Sequence, residues 1–529
     1  MLSRITRSAT RAFPFRSRWS QYGVYLPGKR CHPFSTHPLT RLWWQYPKKE
    51  SGNEEKTEGQ DDHIPPFAPS DGEEVEHLPS RRVHIMGFGG MGVFVAHSLM
   101  CLPNPPPISL LMHSEEMYTE FQHRNRILRV INQNSGTNDE QTGFDVDVAF
   151  EDPATSSFHW RFIAHNPTES QPPPSPNPEE LLPSGEVRIY TLILCGRGGG
   201  TVRAIRSIKH RIGPETTICI LQNGLGQVEE LNGYIFTDPE TRPTYMLGAV
   251  SHRVRISNSF AAVHAGVGST AIGLVRDLDR YPLPPKSDHH TLSEFDKKKY
   301  YPTRDQLWAN ISSRYLLRTL TRSPILVCAA LPYLDLFQLQ LERLAVNCIV
   351  GSLTALMDVP NGALTSNVKW TTVARLLITE ISAVIQRLPE LQGLPNARNR
   401  FSADSLEKLY VQDCRSTAEQ SSSTREDVRK LKRTEVNYHN GYIVRRGEEL
   451  GLRCVLNYLI QNLVEGKSWL SFQENEFSVP FSQRETLLET TKAPTVSVPA
   501  ESLSQPKGND LENDGMPKSD RAPLQTWGR

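Results

Sequence analysis

The chain has 529 residues, 39 of them proline, and its mean hydropathy is −0.45, so the folded part should be shorter than the chain. A formal net charge of +1 argues against a general preference for nucleic acid or acidic surfaces. The eight cysteines are scattered without a CxxC pair, which favours free thiols over a zinc ribbon or a disulfide framework.

The amino terminus has the composition of a targeting segment. Residues 1–49 contain no Asp or Glu, and their Lys and Arg residues are interspersed with Ser and Thr. This pattern is typical of a mitochondrial transit peptide, which would deliver the protein to the mitochondrial matrix. The alternative is an ordinary disordered basic tail. Residues 50–80 are acidic and rich in Pro, Gly and Ser, and we expect a disordered linker there.

A glycine-rich turn follows, between a predicted strand at Val83–Met86 and a helical pattern. The turn has the G-x-G-x-x-G spacing and consists of Gly87, Phe88, Gly89, Gly90, Met91 and Gly92. The first glycine allows a tight turn, the second lets the backbone approach a pyrophosphate, and the third lets the helix pack on the strand. The segment predicts a dinucleotide site at a helix N-terminus. An incidental glycine-rich turn is the alternative.

Further apolar runs predict that residues 81–325 form a doubly wound α/β domain of the Rossmann type. Residues 132–142 and 166–184 are polar and predict loop insertions, whereas residues 260–264 and 269–274 predict a hairpin. The later strands are predicted at Ile108–Met112, Val187–Cys195, Thr217–Gln222 and Met246–Ser251.

The pattern then becomes helical. We expect a helical domain over residues 326–474, preceded by a polar, irregular stretch at 276–323 and followed by a disordered tail at 475–529. Ser423 and Glu426 fit a capping box that opens the last helix. The predicted helices are Leu334–Leu356, Thr371–Leu388 and Asp427–Leu450.

Motifs in separated segments occur in a characteristic order. They are the glycine turn, Leu221–Gly224, Leu344–Asn347, Pro360–Gly362, Ser422–Ser423 with Asp427, and Arg433–Gly441. Together they resemble the ketopantoate reductase (2-dehydropantoate 2-reductase) family. The resemblance implies an N-terminal NADPH-binding Rossmann domain, an all-helical C-terminal domain and an active site between them. It further implies a small 2-keto acid as substrate, and a homodimer is possible.

The resemblance also implies roles for single residues. It assigns NADP contacts to the glycine turn, Arg197, Asn223, Val254 and Glu435, and substrate contacts to Asn347, Asn361 and Ser423. The catalytic positions are Arg343 and Glu435. The family's proton-donating lysine falls at Arg343, whose guanidinium is a poor general acid because its pKa is above about 12, although it can polarise a carbonyl or clamp a carboxylate. A further substrate-side asparagine falls at Gly351, and a lysine falls at Arg197.

Two functions remain open. The preferred hypothesis is an active reductase in which NADPH reduces a 2-keto acid, as in pantothenate biosynthesis, with Arg343 as an electrostatic anchor and water as the proton source. The alternative is a non-catalytic mitochondrial factor, associated with RNA or translation or binding another partner, that would use the basic run at residues 425–433. A solvated helix face is the simpler interpretation of that run. No apolar run is long enough to cross a membrane.

Overall fold

The computed structural model describes residues 80–478, except residues 134, 152–157, 166–181, 183–184, 283–308, 393 and 395. The predicted transit peptide at 1–49, the linker up to residue 79 and the tail beyond residue 478 lie outside the described residues. The predicted insertion at 166–184 does so as well, apart from Leu182.

Nine of the described strands form one sheet, in the order β13-β12-β9-β8-β7-β1-β2-β5-β6. These strands are β1 (Val83–Met86), β2 (Ile108–Met112), β5 (Asp145–Glu151), β6 (Phe158–Ile163), β7 (Ile189–Leu194), β8 (Ile212–Ile220), β9 (Thr244–Val250), β12 (Thr270–Leu274) and β13 (Cys328–Ala330). The helices of this domain are α1 (Gly90–Met100), α2 (Glu115–His123), α3 (Thr201–Ile208), α4 (Gln227–Tyr234) and α5 (Ile311–Arg322).

The central strands are apolar throughout because both faces of the sheet are covered. In β7, Ile193 belongs to a core cluster that includes residues of α1 and α5. Its neighbours Leu192 and Leu194 point the other way, into a second cluster with residues of α3 and α4. Helices therefore pack on both sides of a largely parallel sheet, and the predicted doubly wound α/β fold is confirmed.

The strand order reverses at β1, and this places the ligand-binding edge. The chain proceeds from β1 to β2 and β5, then returns to the opposite side of β1 with β7 and continues to β8 and β9. Strand β1 is parallel to both β2 and β7, so the loops that follow β1 and β7 leave the sheet side by side. Open α/β sheets bind their ligands at such a point.

A second sheet of four strands contacts α1 and has the order β10-β11-β3-β4. Its strands are β3 (Leu128–Asn132), β4 (Asn138–Gln141), β10 (Arg253–Asn258) and β11 (Ala261–Gly266). The predicted hairpin is wrong, because β11 pairs with β10 and β3 whereas β12 pairs with β9 and β13. The predicted loop at 132–142 contains β4, which pairs with β3. An apolar run indicates a strand but does not name its partner.

The sheet domain reaches beyond the last predicted strand. Helix α5 lies in the stretch 276–323 that was expected to be irregular, and it contacts β8 and β13. Strand β13 lies inside the segment 326–474 that was expected to be helical, and it pairs in parallel with β12. The sheet therefore ends at Ala330, and the helical part begins directly after it.

The remaining described chain is mainly helical. Its helices are α6 (Tyr333–Met357), α7 (Ala363–Ser366), α8 (Val368–Ile385), α9 (Ala397–Arg400), α10 (Ala403–Ser416), α11 (Ser423–Arg429), α12 (Asn440–Glu449) and α13 (Val455–Ser478). They enclose one core cluster that includes Leu344, Ile381, Tyr410 and Ile443. None of the helices in the described ranges combines the length and the apolarity that crossing a membrane would need.

The single helix predicted over residues 427–450 is wrong. Helix α11 ends at Arg429, and Leu431 has a φ of +55°, a left-handed conformation that a helix cannot continue through. A short 3₁₀ turn at Val436–Tyr438 follows before α12 begins. Glu435 therefore lies at the start of that turn and not on a helix face shared with Asp427.

Candidate active site

The glycine turn after β1 is shaped by contacts that exclude side chains. Gly87 has a φ of +98°, and a Cβ atom there would lie 2.3 Å from the backbone nitrogen of Gly196 in the loop after β7. A Cβ atom at Gly92 would lie 1.9 Å from the carbonyl oxygen of Gly87. These two glycines hold strand, helix and neighbouring loop together. A Cβ atom at Gly89 would meet nothing within 4 Å, so this position opens into free space.

The open space at Gly89 faces the N-terminus of α1. Gly89 is the N-cap residue, and the first N–H groups of the helix have no carbonyl one turn earlier to bind. Together with the helix dipole they suit an anion such as a pyrophosphate. Gly90 packs against the backbone of Arg255 in β10, next to Val254. The half-buried ring of Phe88 lies 6.3 Å from that of Phe260.

The loops after β7 and β8 are held by the 3₁₀ turn of the helical domain. The Leu225 N–H donates to the carbonyl oxygen of Tyr438 at 3.0 Å. Gly198 and Gly224 lie so close to Tyr438 that a Cβ atom would approach it to 2.8 Å and 2.5 Å, respectively. The Tyr438 hydroxyl donates to Glu230 at 2.7 Å. The segment Arg433–Gly441 thus lies beside the ligand-binding edge of the sheet.

Glu435, which belongs to this segment, joins the two domains. Its carboxylate is 6% exposed and accepts a hydrogen bond from the Gly198 N–H at 3.2 Å. Burial raises the pKa of Glu435, while Gly198, Arg197 and Arg343 act in the opposite direction. A buried carboxylate therefore lies among two arginines and a backbone donor.

Arg197 and Asp427 form a second link between the domains. The Arg197 guanidinium donates to the carboxylate of Asp427, which is 1% exposed, whereas Arg197 is 44% exposed. Burial lowers the pKa of Arg197, and Glu435 raises it. The other carboxylate oxygen of Asp427, Oδ1, is buried and has no partner among the described residues. Asp427 thus holds Arg197 beside the glycine-rich loop.

Arg343 links α6 to the sheet. Its guanidinium donates to the carbonyl oxygen of Val250, the last residue of β9. Burial lowers the pKa of Arg343, while Asp413 and Glu435 raise it. Its charge thus lies in a partly desolvated place at the carboxyl edge of the sheet, where an anionic substrate would be attracted.

The three asparagines differ in their surroundings. Asn347 lies one turn after Arg343 on α6 and is half-buried, as is Asn223 after β8. Neither side-chain amide has a hydrogen-bond partner within the described ranges. Asn361 is 5% exposed, and its amide donates to Thr417 at 2.9 Å while its Oδ1 is buried without a partner in the described structure. Asn223 and Asn347 are therefore free to bind ligands, whereas Asn361 is partly used.

Ser423 is not the cap of α11. Ser422 is the N-cap, and its hydroxyl accepts from the Arg425 N–H at 3.1 Å and is 2.7 Å from the Thr354 hydroxyl. Ser423 is the first helical residue and is exposed. The predicted capping box of Ser423 and Glu426 is therefore wrong, because the cap is Ser422 and the residue three positions after it is Arg425; the Ser423 hydroxyl is left available.

Sequence reasoning missed Asp413 and Arg253. Burial raises the pKa of Asp413, and Arg343 and Arg253 lower it. Asp413 lies on α10 and Arg253 at the start of β10, so charged groups from both domains influence one another here. No local motif marked them, because the relevant contacts join residues far apart in the chain.

Comparison with known proteins identifies the family. The model described as "Ketopantoate reductase PanE/ApbA" matches residues 83–277, and "Ketopantoate reductase PanE/ApbA C terminal" matches residues 335–468. Together the two matches cover more than half of the chain. The chain belongs to the ketopantoate reductase PanE/ApbA family. It is accordingly an oxidoreductase of the 2-dehydropantoate 2-reductase type.

Several relatives carry names consistent with the ketopantoate reductase family. A probable 2-dehydropantoate 2-reductase of Schizosaccharomyces pombe is 22% identical over 392 residues, which cover 74% of this chain and 97% of the relative. The 2-dehydropantoate 2-reductase of Salmonella typhi is 27% identical over 291 residues, 55% of this chain and 77% of the relative. The ketoisovalerate reductase BEA2 of Gibberella fujikuroi is 23% identical over 397 residues, 69% and 78% respectively.

Solved structures share the ketopantoate reductase fold. D-mandelate dehydrogenase with NADH and anilino(oxo)acetate matches with a TM-score of 0.51 at 13% identity, over 74% of this chain and 99% of that one. The PanE/ApbA family ketopantoate reductase of Ralstonia eutropha matches with a TM-score of 0.50 at 18% identity, over 74% and 99%. At these identities the likeness describes the fold alone.

The structure gives a steric reason for one departure from the ketopantoate reductase pattern. A Cβ atom at Gly351 would lie 2.8 Å from the hydroxyl oxygen of Thr424, which is 2% exposed. The side chain of Thr424 on α11 therefore fills the space that an asparagine on α6 would need. The close packing of α6 against α11 at this point therefore requires a glycine at residue 351.

Proposed function

We propose that the protein is an NADPH-dependent reductase of a small 2-keto acid, in the manner of 2-dehydropantoate reduction to pantoate, and that it acts in the mitochondrial matrix. The observation that carries the proposal is the convergence of two parts on one edge of the sheet. The glycine turn of the first domain and the face of α6 with Arg343 and Asn347 both lie at the carboxyl ends of the strands.

The residues fit a bound dinucleotide. Gly89 leaves open space next to the unpaired N–H groups of α1, as a pyrophosphate requires. The half-buried amide of Asn223 and the backbone near Val254 lie along the same edge. When bound, NADPH would supply the hydride for the reaction. The choice of NADPH over NADH rests on the family resemblance alone, because the sequence His113-Ser114 after β2 offers neither a carboxylate for an unphosphorylated ribose nor an arginine for the additional phosphate.

Arg343 and Asn347 would hold the substrate. One turn of α6 separates them, so the guanidinium can attract the carboxylate or polarise the keto oxygen while the amide fixes the orientation. The reaction also needs a proton at the alkoxide oxygen. A guanidinium gives up its proton poorly, so we assign this proton to water and expect slow turnover. The exposed hydroxyl of Ser423 and the free oxygen of Asn361 are further substrate contacts.

The substrate class is a 2-keto acid with a branched carbon next to the keto group. 2-Dehydropantoate and 2-ketoisovalerate, the substrates named for the relatives, both have this form, and they differ by a hydroxymethyl group. Thr424 fills the space beside Gly351. We therefore expect residue 351 to contribute less to the preference between the two substrates than an asparagine at this position would.

Contacts of the basic run weigh against the RNA-associated alternative. Arg425 and Arg429 both pair with Asp358, at 2.9 Å and 2.7 Å, and Lys430 pairs with Glu426 at 3.2 Å. Two carboxylates thus compensate part of the positive charge of the run, which reduces the charge that it offers to phosphates, while Lys432 and Arg433 remain exposed.

The test is oxidation of NADPH and NADH by the purified chain with each of the two keto acids. A Gly89→Val variant should lose cofactor binding because its side chain enters the open space, with little effect on the fold. Gly466→Val is the matched control, because its Cβ atom also meets nothing within 4 Å, its φ is not positive, and it lies on α13 away from the glycine turn. If neither cofactor binds to the wild type, or if the Gly89 variant binds as the wild type does, the proposed site is wrong. If the cofactor binds but neither keto acid is reduced, the substrate assignment fails.

A further inference from the structure

A group of three metal-ligating side chains lies away from the reductase site. It consists of His97 and Cys101, at the C-terminal end of α1, and Asp139 on β4. With a rise of about 1.5 Å per residue, Cys101 lies about 16 Å along the helix from Gly90, at the opposite end from the dinucleotide turn. None of these residues has a part in the proposed reaction.

The fold brings the three side chains together for a simple geometric reason. His97 and Cys101 are four residues apart, so they share one face of α1. The β3–β4 hairpin packs on that face and places Asp139 opposite them. The Cys101 sulfur is 3.7 Å from His97 Nδ1 and 3.8 Å from Asp139 Oδ2. One ligand atom from each of the three residues lies within 4.8 Å of the other two.

Hydrogen bonds orient these groups as they would around a metal ion. His97 is 2% exposed, and its Nε2 lies 3.2 Å from the backbone carbonyl oxygen of Asp139. A carbonyl can only accept, so Nε2 carries the proton and Nδ1 presents its lone pair toward the Cys101 sulfur. Metal-binding histidines are commonly fixed by such a bond on the second nitrogen. The Gln141 amide donates to the sulfur at 3.4 Å and so supports it from outside.

We propose that His97, Cys101 and Asp139 bind one divalent zinc ion, with water as the fourth ligand. Nitrogen, sulfur and carboxylate oxygen are the ligands that zinc takes in tetrahedral sites, at about 2.0–2.3 Å. These bond lengths require about 3.3–3.6 Å between ligand atoms. The distances from the Cys101 sulfur to His97 Nδ1 and to Asp139 Oδ2, 3.7 Å and 3.8 Å, are within a few tenths of an ångström of the requirement, and the third pair of ligand atoms, from His97 and Asp139, lies within 4.8 Å.

The ion would reach the site from the Asp139 side and would have a structural effect. The Asp139 side chain is 58% exposed while His97 is buried, so solvent reaches the site at Asp139 and the histidine ligand is held in the protein interior. Binding would convert the Cys101 thiol to a thiolate and release one proton to solvent. It would fasten the β3–β4 hairpin to α1 and stabilise the folded chain in proportion to the logarithm of the zinc concentration.

The experiment measures zinc and cobalt binding by the full chain after removal of metal with a chelator. We expect one equivalent of zinc per chain by elemental analysis, a rise in the unfolding temperature with added zinc, and a thiolate-to-cobalt charge-transfer band with cobalt. Cys101→Ser should abolish the band and weaken zinc binding more than about 100-fold, because loss of an outer-shell partner alone is worth about 10–100-fold. Cys328→Ser, which alters a thiol of β13 outside the group, is the matched control and should bind zinc normally.

Asp139→Asn keeps the test decisive if the Cys101 variant does not fold, because the exposed carboxylate can be changed without disturbing the core. It should weaken zinc binding by at least about tenfold while circular dichroism stays unchanged. The proposal is overturned if the wild type takes up no zinc, if cobalt gives no thiolate band, or if the Asp139 variant binds zinc as tightly as the wild type.

Discussion

Replacing Arg343 by lysine tests whether the site kept the geometry of a reductase. Arginine occupies the position where the family resemblance implies a lysine, and its guanidinium cannot readily lend a proton to the alkoxide. Arg343→Lys keeps the positive charge on the same face of α6 as Asn347 and adds an ammonium group that can donate. We expect the variant to reduce the 2-keto acid faster than the wild type does.

The surroundings of the side chain set the expected size of the gain. Burial is the largest influence on the pKa of Arg343 and lowers it, with Asp413 and Glu435 acting against it. The same burial would move the pKa of a lysine below its ordinary value of about 10.4, toward the pH of the assay. General acid catalysis is worth about 10²–10⁴-fold. We expect the low end, about 10²-fold in kcat, because the shorter lysine reaches the keto oxygen less well.

The control variant separates chemistry from stability. Arg343→Ala removes the charge and the hydrogen bond to Val250, which should cost about 1.5–3 kcal/mol in the free energy of unfolding as a charged hydrogen bond. Its unfolding curve must therefore be measured beside its rate. The Arg343→Lys rate should fall above the pKa of the new lysine, whereas the wild-type rate should have no such limb, since a guanidinium stays protonated there.

The assay is reduction of 2-dehydropantoate and of 2-ketoisovalerate by the three proteins across pH, with NADPH binding measured separately. A gain in the lysine variant supports a site that still holds a keto acid correctly. If the lysine variant gains nothing, and the wild type is as inert as the alanine variant although NADPH binds, the reductase hypothesis is wrong. The non-catalytic alternative would then replace it.

Three further predictions concern stability and targeting. Burial lowers the pKa of His252 to about 4, and its Nδ1 accepts a hydrogen bond from the Gly268 N–H. Between pH 6.5 and 4 this histidine is therefore protonated in the unfolded chain but neutral in the folded chain. The free energy of unfolding should be unaffected by this group above pH 6.5 and should fall by up to about 3 kcal/mol as the pH drops from 6.5 to 4. Urea unfolding of His252→Gln should show a flatter dependence of that free energy on pH. A dependence as steep as that of the wild type would contradict this assignment. Asp427→Asn should cost about 1–3 kcal/mol, less than a fully buried pair because Arg197 is 44% exposed, and should raise the KM for NADPH; a variant with wild-type stability and KM would refute the link. A fluorescent protein fused behind residues 1–49 should enter mitochondria, and a diffuse cytosolic signal would disprove the transit peptide.

The amino-acid sequence alone determined the features that depend on neighbouring residues. The glycine turn was predictable because Gly87 and Gly92 satisfy steric needs within one strand, turn and helix. Central strands such as β2 were predictable because a strand covered on both faces must be apolar throughout. The helix with Arg343 and Asn347 was predictable from its apolar spacing, so two polar groups one turn apart could be placed on one face.

Only the tertiary structure decided which distant groups meet. The ion pair of Arg197 with Asp427 joins residues 230 positions apart, and neither local sequence predicts it. At Leu431 the backbone turns into the left-handed region and the Lys432 N–H donates to the Asp427 carbonyl oxygen at 2.8 Å, which ends a helical pattern that looked continuous in the sequence. Strand character is a property of one segment and can be predicted from its residues. A strand's partner, a buried ion pair and the metal-ligating group on α1 are properties of two segments, and they exist only once the chain has folded.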